Sequence, residues 1–491
     1  MKKHKNIMIQ GTGSSVGKTL IVAGLCRIFA QDGYRVSPFK SQNMALNSFV
    51  DIEGLELSRG TVIQAEAGYE IPRAFMNPIL LKPNSDNNSQ VIINGKVAYT
   101  ADAKNYFSNS KELKKIALET YKNNIENNFD IAVLEGGGSP AEINLREYDL
   151  VNMGMAELVD SPVILVGNID IGGVFAAIYG TVMLLDENDR KRIKGYIINK
   201  FRGDSDLLKP AIEILDKKFK DEGLDIKFLG VLPYADLKIE EEDSLSDEDK
   251  RVYSDDKKYI NISIIKTKKM SNFTDFHPFK QYDDVRVKYI YDVKDLGDED
   301  IIIFPGSKNT IADLEDLKKR GIFEKVKELK EKGKIIIGIC GGLQMLGKKI
   351  YDLKHLESDI LETEGFNFFD YETTFDEIKK TEQVTKKIEV IEGILKDFNG
   401  YEIKGYEIHQ GVTNILTPII CKDNVFATYI HGIFDNSKFT NDFLNMIRKQ
   451  KNMPERKEIL SFNEFKEREY DKLAKLLREN LDIKEIYRIL D

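Results

Sequence analysis

A glycine-rich turn near the start of the chain joins a short apolar stretch to a stretch with helical spacing. Residues 6–10 form a short, largely apolar run, which suits a buried strand. After the turn, the apolar residues Ile21, Leu25 and Ile28 are spaced as on one face of a helix. Further strand-like runs alternate with helical ones along the chain. Strands separated by helices predict a parallel α/β sheet that helices cover on both faces. Because 491 residues are too many for one compact core, we expect more than one such sheet.

The turn itself, GTGSSVGKT at 11–19, has the composition of a phosphate-binding loop. Glycines let backbone N–H groups point at phosphate oxygens, and the following helix adds the positive end of its dipole. Lys18 can reach the β- and γ-phosphates, and the Thr19 hydroxyl can ligate Mg²⁺. Five residues rather than the usual four separate Gly11 from Gly17, and an incidental glycine-rich turn is the alternative. The strand, the helix and the Gly-Lys-Thr triplet favour a site for ATP and Mg²⁺, in which the nucleotide is held by Gly13, Ser14, Ser15, Val16, Gly17, Lys18 and Thr19.

Three further polar residues lie at predicted strand ends, where ligands bind in parallel α/β sheets. Lys40 closes the second strand-like run and could approach the phosphates, or it is a solvated lysine. Glu135 precedes three glycines and could hold Mg²⁺ directly or through water, or it is an exposed residue of a tight turn. Asn199 could read adenine or simply form a turn. We assign Lys40 and Asn199 to the nucleotide site, and Thr19 and Glu135 to the metal site.

A charged stretch interrupts this alternation in the middle of the chain. Between Asp236 and Lys258 most residues are charged and few are large and apolar, which is typical of an exposed connector. Asn94-Gly95 predicts a hairpin within the first half. The predicted strands are 35–39, 131–134, 162–166 and 195–198 before the connector and 260–265, 285–291, 301–304 and 334–339 after it. The predicted organisation is a first α/β domain over 1–235, the connector over 236–258, a second α/β domain over 259–445 and a helical tail over 446–491.

The second strong signal is a cysteine at the end of a buried run. Residues 335–339 are mostly isoleucine and lead into Cys340-Gly341-Gly342, ahead of another helical stretch. A strand that turns sharply through small residues into a helix exposes a nucleophile at the turn. The helix N-terminus favours the thiolate, and nearby backbone N–H groups can hold an oxyanion. A buried structural thiol is the alternative, which the glycine-rich context disfavours. The predicted oxyanion donors are Gly341 and, from the loop that ends the preceding strand, Gly306.

A thiol nucleophile needs a nearby base, and the chain has five histidines. His431 follows a strand-like run and precedes a glycine, so it is the predicted base. His409 could line a substrate cleft, although a hydrogen-bonded structural role is favoured. Cys26 lies on the helix after the phosphate loop and Cys421 has no accompanying motif, so neither competes with Cys340.

The composition excludes several classes of protein. Hydrophobic residues make up 42% of the chain and charged residues 31%, which excludes a disordered or fibrous protein. The net charge of -9 argues against a generally basic nucleic-acid binder. No apolar run approaches the roughly 20 residues of a membrane-spanning helix, and no signal peptide is evident. Three cysteines cannot build a disulfide scaffold, so we expect a cytoplasmic enzyme. From the charge and the short apolar runs we expect no nucleic-acid or membrane partner.

With these residues identified, the chain resembles the cobyric acid synthase family, the glutamine-dependent amidases of cobalamin biosynthesis. The first domain resembles the P-loop ATP fold of dethiobiotin synthetase, and the C-terminal α/β domain is similar to a class I glutamine amidotransferase domain. The resemblance covers nearly the whole chain, and the order of the motifs is more specific than any one of them. These motifs are PFKSQNMALNS at 38–48, LEGGGSPAEINL at 134–145, GGVFA at 172–176, PGS at 305–307, GICGGLQMLG at 338–347, GYEIH at 405–409 and HG at 431–432.

The chain departs from the resemblance at two positions. Most class I amidotransferases carry Glu two residues after the catalytic histidine, whereas Ile433 stands there in this chain, a loss that the cobyrinate subgroup shares. The sequence therefore leaves open which residue orients His431. Family members also usually carry Arg after Asp170, where this chain has Ile171.

The resemblance implies an ATP-dependent amide ligase that takes its nitrogen from glutamine. Cys340 would attack the glutamine side chain and His431 would move the protons, while ATP and Mg²⁺ activate a carboxylate of the substrate. That substrate would be adenosylcobyrinic acid a,c-diamide, amidated at its b, d, e and g carboxylates. The alternatives are cobyrinic acid a,c-diamide synthase, which the motif at 43–48 disfavours, a partitioning-type P-loop ATPase switch and a non-catalytic amidotransferase-like regulator. The ATPase leaves the cysteine half unexplained, and intact Cys340, His431 and Lys18 disfavour the regulator.

Overall fold

The computed structural model describes residues 4–83, 88–240, 258–457 and 460–491. The chain forms two compact units that are not linear in sequence. The first unit comprises Met1–Ala45, Glu56–Asp243 and Lys466–Asp491, and the second comprises Leu46–Leu55 and Ser244–Phe465. Most of the predicted connector, residues 241–257, lies outside the described residues. The predicted domain boundaries, at residues 235, 258 and 445, therefore stay a prediction.

Up to residue 240, the strands of the main sheet alternate with helices as the sequence predicts, and further short strands lie within residues 42–102. The strands are β1 Lys5–Gly11, β2 Val36–Phe39, β3 Gln42–Met44, β4 Ser48–Val50, β5 Glu56–Ser58, β6 Ile79–Pro83, β7 Asn88–Ile93, β8 Lys96–Asp102, β9 Ile131–Glu135, β10 Val163–Asn168, β11 Ile193–Phe201 and β12 Lys227–Pro233. The α-helices are α1 Lys18–Gln31, α2 Arg59–Ala67, α3 Ala103–Ser108, α4 Ser110–Thr120, α5 Met153–Leu158, α6 Val174–Leu184, α7 Glu187–Arg192 and α8 Lys209–Asp221.

The first unit is built on a six-stranded parallel sheet in the order β12-β11-β10-β1-β9-β2. Alternate residues of its strands enter two different cores. Ile7 and Ile9 of β1 pack with α1 on one face, whereas Met8 packs on the other. Because all six strands run the same way, the turns after β1, β2, β9 and β11 meet at one edge. The parallel sheet predicted from the sequence is confirmed.

A smaller sheet in the first unit has the order β3-β6-β7-β8. The predicted hairpin is confirmed, since β7 and β8 pair in antiparallel fashion. Its turn residues Asn94 and Gly95 both have positive φ, 47° and 81°. That conformation is the one for which Asn-Gly is favoured in two-residue hairpins.

The second unit repeats the α/β plan with different connections. Its strands after the charged stretch are β13 Ile260–Ile265, β14 Met270–Ser271, β15 Val285–Ile290, β16 Ile301–Phe304, β17 Gly306–Ser307, β18 Ile335–Ile339, β19 Lys349–Tyr351, β20 Glu362–Glu364, β21 Glu372–Lys387, β22 Glu402–Thr413, β23 Ile419–Lys422 and β24 Val425–Thr428. Its α-helices are α9 Thr310–Lys319, α10 Ile322–Glu331, α11 Gly341–Leu346 and α12 Ser437–Gln450.

The main sheet of the second unit has the order β15-β13-β16-β18-β24-β23, parallel except for the edge strand β23. Its central strands are isoleucine-rich and buried on both faces, as the apolar runs predict. The turns after β16, β18 and β24 meet at one edge, where Gly306, Cys340 and His431 follow them. A further sheet, β20-β19-β21-β22, adds a long antiparallel ribbon.

Two helices complete the described chain, α13 Phe462–Asn480 and α14 Ile483–Leu490. The helical spacing predicted near the C-terminus is confirmed. Leu473 and Leu477 of α13 join the apolar core that α1 forms with the sheet of the first unit. A Cβ on Gly24 of α1 would lie 2.5 Å from a Leu477 methyl carbon, so the glycine permits this close packing. Among the described residues, no helix is long and apolar enough to cross a membrane.

Candidate active site

Cys340 occupies a sharp turn between β18 and α11. Its φ of 53° and ψ of -105° are unusual for a residue with a side chain. The turn is possible because its neighbours are small: a Cβ on Gly342 would lie 2.1 Å from the Phe304 carbonyl oxygen. The thiol is buried, and its Sγ lies 3.6 Å from the Ile408 carbonyl oxygen. This is the nucleophile-elbow geometry that the sequence predicts.

His431 lies against Cys340 and is oriented by an aspartate that the sequence analysis missed. The Nδ1 of His431 donates to the Asp275 carboxylate across 2.7 Å, and the same carboxylate accepts the Gly432 backbone N–H across 3.0 Å. Both side chains are buried. Because Nδ1 is bound to Asp275, Nε2 is the nitrogen available to the thiol. Asp275 therefore supplies the orientation that Glu at position 433 would have supplied.

The charges around His431 favour its protonated form. Burial alone lowers the pKa of an imidazole, but the Asp275 carboxylate and the Cys340 side chain outweigh it and raise the pKa of His431 to about 10. An imidazolium next to a sulfur favours attack by that sulfur. The arrangement is a Cys-His-Asp constellation suited to nucleophilic attack.

The predicted oxyanion residues lie beside this constellation. β17 places Gly306 next to His431, since a Cβ on Gly306 would lie 3.3 Å from His431 Cε1. A Cβ on Gly341 would lie 2.7 Å from the Ser307 backbone nitrogen, so the two loops approach closely. That the backbone N–H groups of Gly306 and Gly341 bind an oxyanion stays a prediction.

His409 is engaged by protein groups on both ring nitrogens. Nδ1 lies 2.8 Å from the Gly411 carbonyl oxygen and Nε2 lies 3.3 Å from the Glu407 carboxylate. Its ring stacks on Tyr429 at a centroid distance of 3.8 Å. This environment favours the hydrogen-bonded structural role over a second catalytic base.

In the first unit, the phosphate loop closes around its lysine. Gly17 takes a left-handed conformation with φ 97° and begins α1. The Lys18 ammonium donates to the backbone oxygens of Gly13 and Gly138, at 2.9 and 3.1 Å. The lysine therefore lies inside the loop whose N–H groups would surround a phosphate.

Glu135 is the centre of a buried polar cluster beside this loop. One carboxylate oxygen accepts from the Thr19 hydroxyl and from the Lys40 ammonium, each at 3.0 Å, and the other accepts from the Gln64 amide. The buried side-chain oxygens of Gln64 and Asn152 have no hydrogen-bond partner in the described structure. Carboxylate, hydroxyl and amide oxygens are the ligands that Mg²⁺ prefers, so these residues fit the cation. Gln64 and Asn152 were not predicted, because no short motif contains them.

Asn199 lies against the phosphate loop. Its amide nitrogen donates to the Val16 carbonyl across 2.8 Å, and its oxygen accepts the Lys200 backbone N–H across 2.8 Å. A Cβ on Gly17 would lie 2.2 Å from the Asn199 amide nitrogen, which explains the glycine. The amide thus supports the loop, and its contact with adenine stays a prediction.

A cavity of about 390 Å³ opens beside the phosphate loop. Its lining consists of Thr12, Gly13 and Ser14, residues of the glycine-rich loop after β9, and one side of α6. The volume of the cavity is sufficient for part of a small molecule beside the phosphate loop.

Comparisons with known proteins cover both units. Residues 7–245 match the family model described as the CobQ/CobB/MinD/ParA nucleotide binding domain, and residues 261–439 match that of the CobB/CobQ-like glutamine amidotransferase domain. The cobyric acid synthase of Caldanaerobacter subterraneus subsp. tengcongensis is 46% identical over 99% of this chain and 98% of its own length. That of Clostridium novyi is 48% identical over 100% of this chain and 98% of its own length.

The chain belongs to the cobyric acid synthase family. The two matched domains, a nucleotide-binding domain and a glutamine amidotransferase domain, confirm the predicted α/β fold class of both halves. It also accounts for the cysteine half, which a partitioning-type ATPase leaves unexplained. A solved glutamine amidotransferase covers 37% of this chain and 96% of its own at 14% identity, and its TM-score of 0.28 is too low to add to this conclusion.

Proposed function

We propose that this cobyric acid synthase family member amidates four peripheral carboxylates of adenosylcobyrinic acid a,c-diamide, at positions b, d, e and g, to give adenosylcobyric acid. The observation that carries the proposal is the presence in one chain of two different constellations. One is the buried Cys340, His431 and Asp275 of the second unit, and the other is the loop of Lys18 beside Glu135 in the first unit.

The second unit releases ammonia from glutamine. The Cys340 thiolate attacks the side-chain amide carbon, and His431 donates its proton to the departing nitrogen, so that ammonia leaves and a thioester forms. Water then attacks the thioester, His431 accepts a proton from it, and glutamate is released with the Cys340 thiolate and the protonated His431 regenerated. Throughout the cycle the Asp275 carboxylate holds Nδ1 and compensates the positive charge on the imidazole.

The first unit activates the carboxylate that receives the ammonia. A carboxylate is a poor electrophile, whereas the acyl phosphate formed by transfer of the γ-phosphate from ATP is a good one. Ammonia attacks the acyl carbon, the amide forms and phosphate leaves. Lys18 neutralises charge on the transferred phosphate, and the loop N–H groups orient it. Thr19 and Glu135 would hold Mg²⁺, which neutralises phosphate charge when it is bound.

The experiment is mass spectrometry of adenosylcobyrinic acid a,c-diamide incubated with the full chain, ATP, Mg²⁺ and glutamine. We expect four successive carboxyl-to-amide conversions, and none when ATP is omitted. Matched incubations with cobyrinic acid test the rival a,c-diamide synthase. Conversion of cobyrinic acid to the diamide, with the diamide itself left unchanged, would overturn the proposal.

A further inference from the structure

A ten-residue segment from the first half of the sequence, Leu46–Leu55, is part of the second compact unit. We call it the inserted segment. It contains β4 and several buried polar residues, among them Asn47 and Ser48, which the catalytic steps above do not use. These residues also end the motif at 38–48 that the sequence analysis singled out. The hydrogen bonds described next lie within the second unit and lead to the neighbours of the catalytic pair.

The first set of contacts holds the turn that presents Asp275. Asn47 Oδ1 accepts the Phe273 backbone N–H across 3.1 Å, and the Ser48 backbone N–H donates to Asn272 Oδ1 across 3.3 Å. Asn272 has a left-handed conformation, with φ 53°, and caps the 3₁₀ helix Phe273–Gln281 that contains Asp275. The inserted segment therefore fixes the start of the helix from which Asp275 reaches His431.

The second set of contacts holds the ring that covers His431. The Tyr406 hydroxyl donates to the Ser48 carbonyl across 3.0 Å and accepts from Asn272 Nδ2 across 3.1 Å. The Tyr406 ring stacks on the His431 ring at a centroid distance of 5.3 Å, and the two backbones exchange hydrogen bonds. The Phe49 ring packs edge-on against the Tyr406 ring, with 5.0 Å between the two centroids.

The inserted segment thus contacts a neighbour of each catalytic partner. We propose that Asn47 and Ser48 are positioning residues of the glutaminase centre, which keep Asp275 and His431 aligned through Phe273, Asn272 and Tyr406. This inference rests on the proposed function of the second unit. A loose segment would let the carboxylate and the imidazole separate, so that the histidine transfers protons less efficiently although the nucleophile is intact.

The test compares Asn47→Ala and Tyr406→Phe with the control Ile52→Ala, which changes an exposed side chain of the same segment. Asn47→Ala removes the acceptor for the Phe273 N–H, and Tyr406→Phe removes only the hydroxyl and keeps the stacked ring. We expect both to lower kcat for glutamine hydrolysis on the order of 10-fold with little change in KM, because the aligned catalytic geometry is what they disturb. Ile52→Ala should behave as wild type.

Two further readouts separate positioning from a merely structural role. The alkaline limb of the glutaminase pH profile should move to lower pH in both variants, because a loosened Asp275 supports the imidazolium less. Amidation supported by ammonium instead of glutamine should stay within about twofold of wild type, because that reaction bypasses His431 altogether. Circular dichroism and a thermal melt confirm that each variant is folded, and if Asn47→Ala does not fold, Tyr406→Phe decides.

Unchanged kcat and pH profile in a folded variant would overturn the inference. So would an equal loss of the glutamine-supported and ammonium-supported reactions, which would assign the segment to the corrinoid or to general stability. Wild-type protein is assayed first with both nitrogen sources. Absence of both activities there contradicts the proposed function, whereas wild-type activity with unaffected variants contradicts this inference alone.

Discussion

The two candidate sites lie at equivalent places, the carboxyl edge of a parallel sheet, yet they are assembled differently. The phosphate loop and its lysine come from one contiguous stretch, and Glu135 comes from the adjacent strand. The thiol site joins Cys340 and His431 to Asp275, which is 156 residues away from the histidine. The backbone N–H groups that would bind phosphate come from one short loop, whereas proton transfer at the thiol needs the side chains of Cys340, His431 and Asp275 to be aligned. The first site therefore depends on the conformation of a loop, and the second depends on long-range packing.

The sites also differ in charge. The first site has one ammonium group inside the phosphate loop, that of Lys18, and another paired with the buried Glu135 carboxylate, that of Lys40, which suits a polyanionic nucleotide. In the thiol site one carboxylate balances one imidazolium, and a neutral amide is the substrate. Substitutions in the two sites should therefore separate the two half-reactions.

The largest effect is expected for Cys340→Ala. It removes the nucleophile and leaves the small-residue turn intact, so glutamine hydrolysis should fall below detection in a folded protein. Amidation with ammonium, at a pH that leaves some ammonia unprotonated, should continue. The measurement is the release of glutamate beside the mass of the corrinoid product. Residual amidation from glutamine would show that Cys340 is not the nucleophile.

Lys18→Ala should abolish amidation with either nitrogen source. Loss of one charge-assisted phosphate contact in the transition state costs about 3 kcal/mol or more, which is on the order of 100-fold in rate. Product formation from ammonium is the decisive assay, since it excludes any effect on glutamine. Near-normal turnover there would refute the role of the phosphate loop.

Asp275→Asn should lower glutamine hydrolysis on the order of 10- to 100-fold, because the amide can favour the wrong tautomer of His431. The sign of the pH effect follows from the raised pKa of His431, about 10. Without the carboxylate that pKa falls, the imidazolium is lost at lower pH, and the alkaline limb of the glutaminase profile moves down. A profile identical to that of wild type would mean that Asp275 does not support the histidine. Ammonium-dependent amidation serves as the control.

The smallest effect is expected for Asn199→Ala. Loss of the hydrogen bond to the Val16 carbonyl is worth about 1 kcal/mol, so KM for ATP should rise about fivefold with kcat preserved. A parallel titration with GTP sharpens the result. An increase confined to ATP supports the predicted adenine contact, an equal increase supports the loop alone, and no increase contradicts both.

The local signals in the sequence predict much of the fold. Apolar runs predict most strands of both main sheets, and their small-residue turns predict the phosphate loop and the cysteine turn, because each is encoded within about ten residues. The edge strands β12 and β23 were not predicted. Asn94-Gly95 gives its hairpin for the same reason. Leu473 and Leu477 predict a helix by their spacing, but their partner α1 is determined by tertiary packing.

The residues that orient Cys340 and His431 could not be predicted from local sequence signals. Asp275 belongs to none of the motifs recognised in the sequence, and it reaches His431 only because the 3₁₀ helix Phe273–Gln281 brings it there. The composition of Leu46–Leu55 does not resemble that of a linker, so nothing in the sequence predicts that this segment belongs to the second unit. Position 433 gave the one available signal, since a missing carboxylate requires a replacement from elsewhere in the chain.

The division of work between the two sites is tested most directly by the origin of the nitrogen. Wild type and Cys340→Ala would each receive ATP, Mg²⁺, adenosylcobyrinic acid a,c-diamide, glutamine labelled with ¹⁵N in its side-chain amide, and unlabelled ammonium. Mass spectrometry of the corrinoid should find ¹⁵N in the new amides made by wild type, and amides with only ¹⁴N made by Cys340→Ala. Incorporation of ¹⁵N by Cys340→Ala, or no amidation at all by the folded variant, would contradict two separable half-reactions.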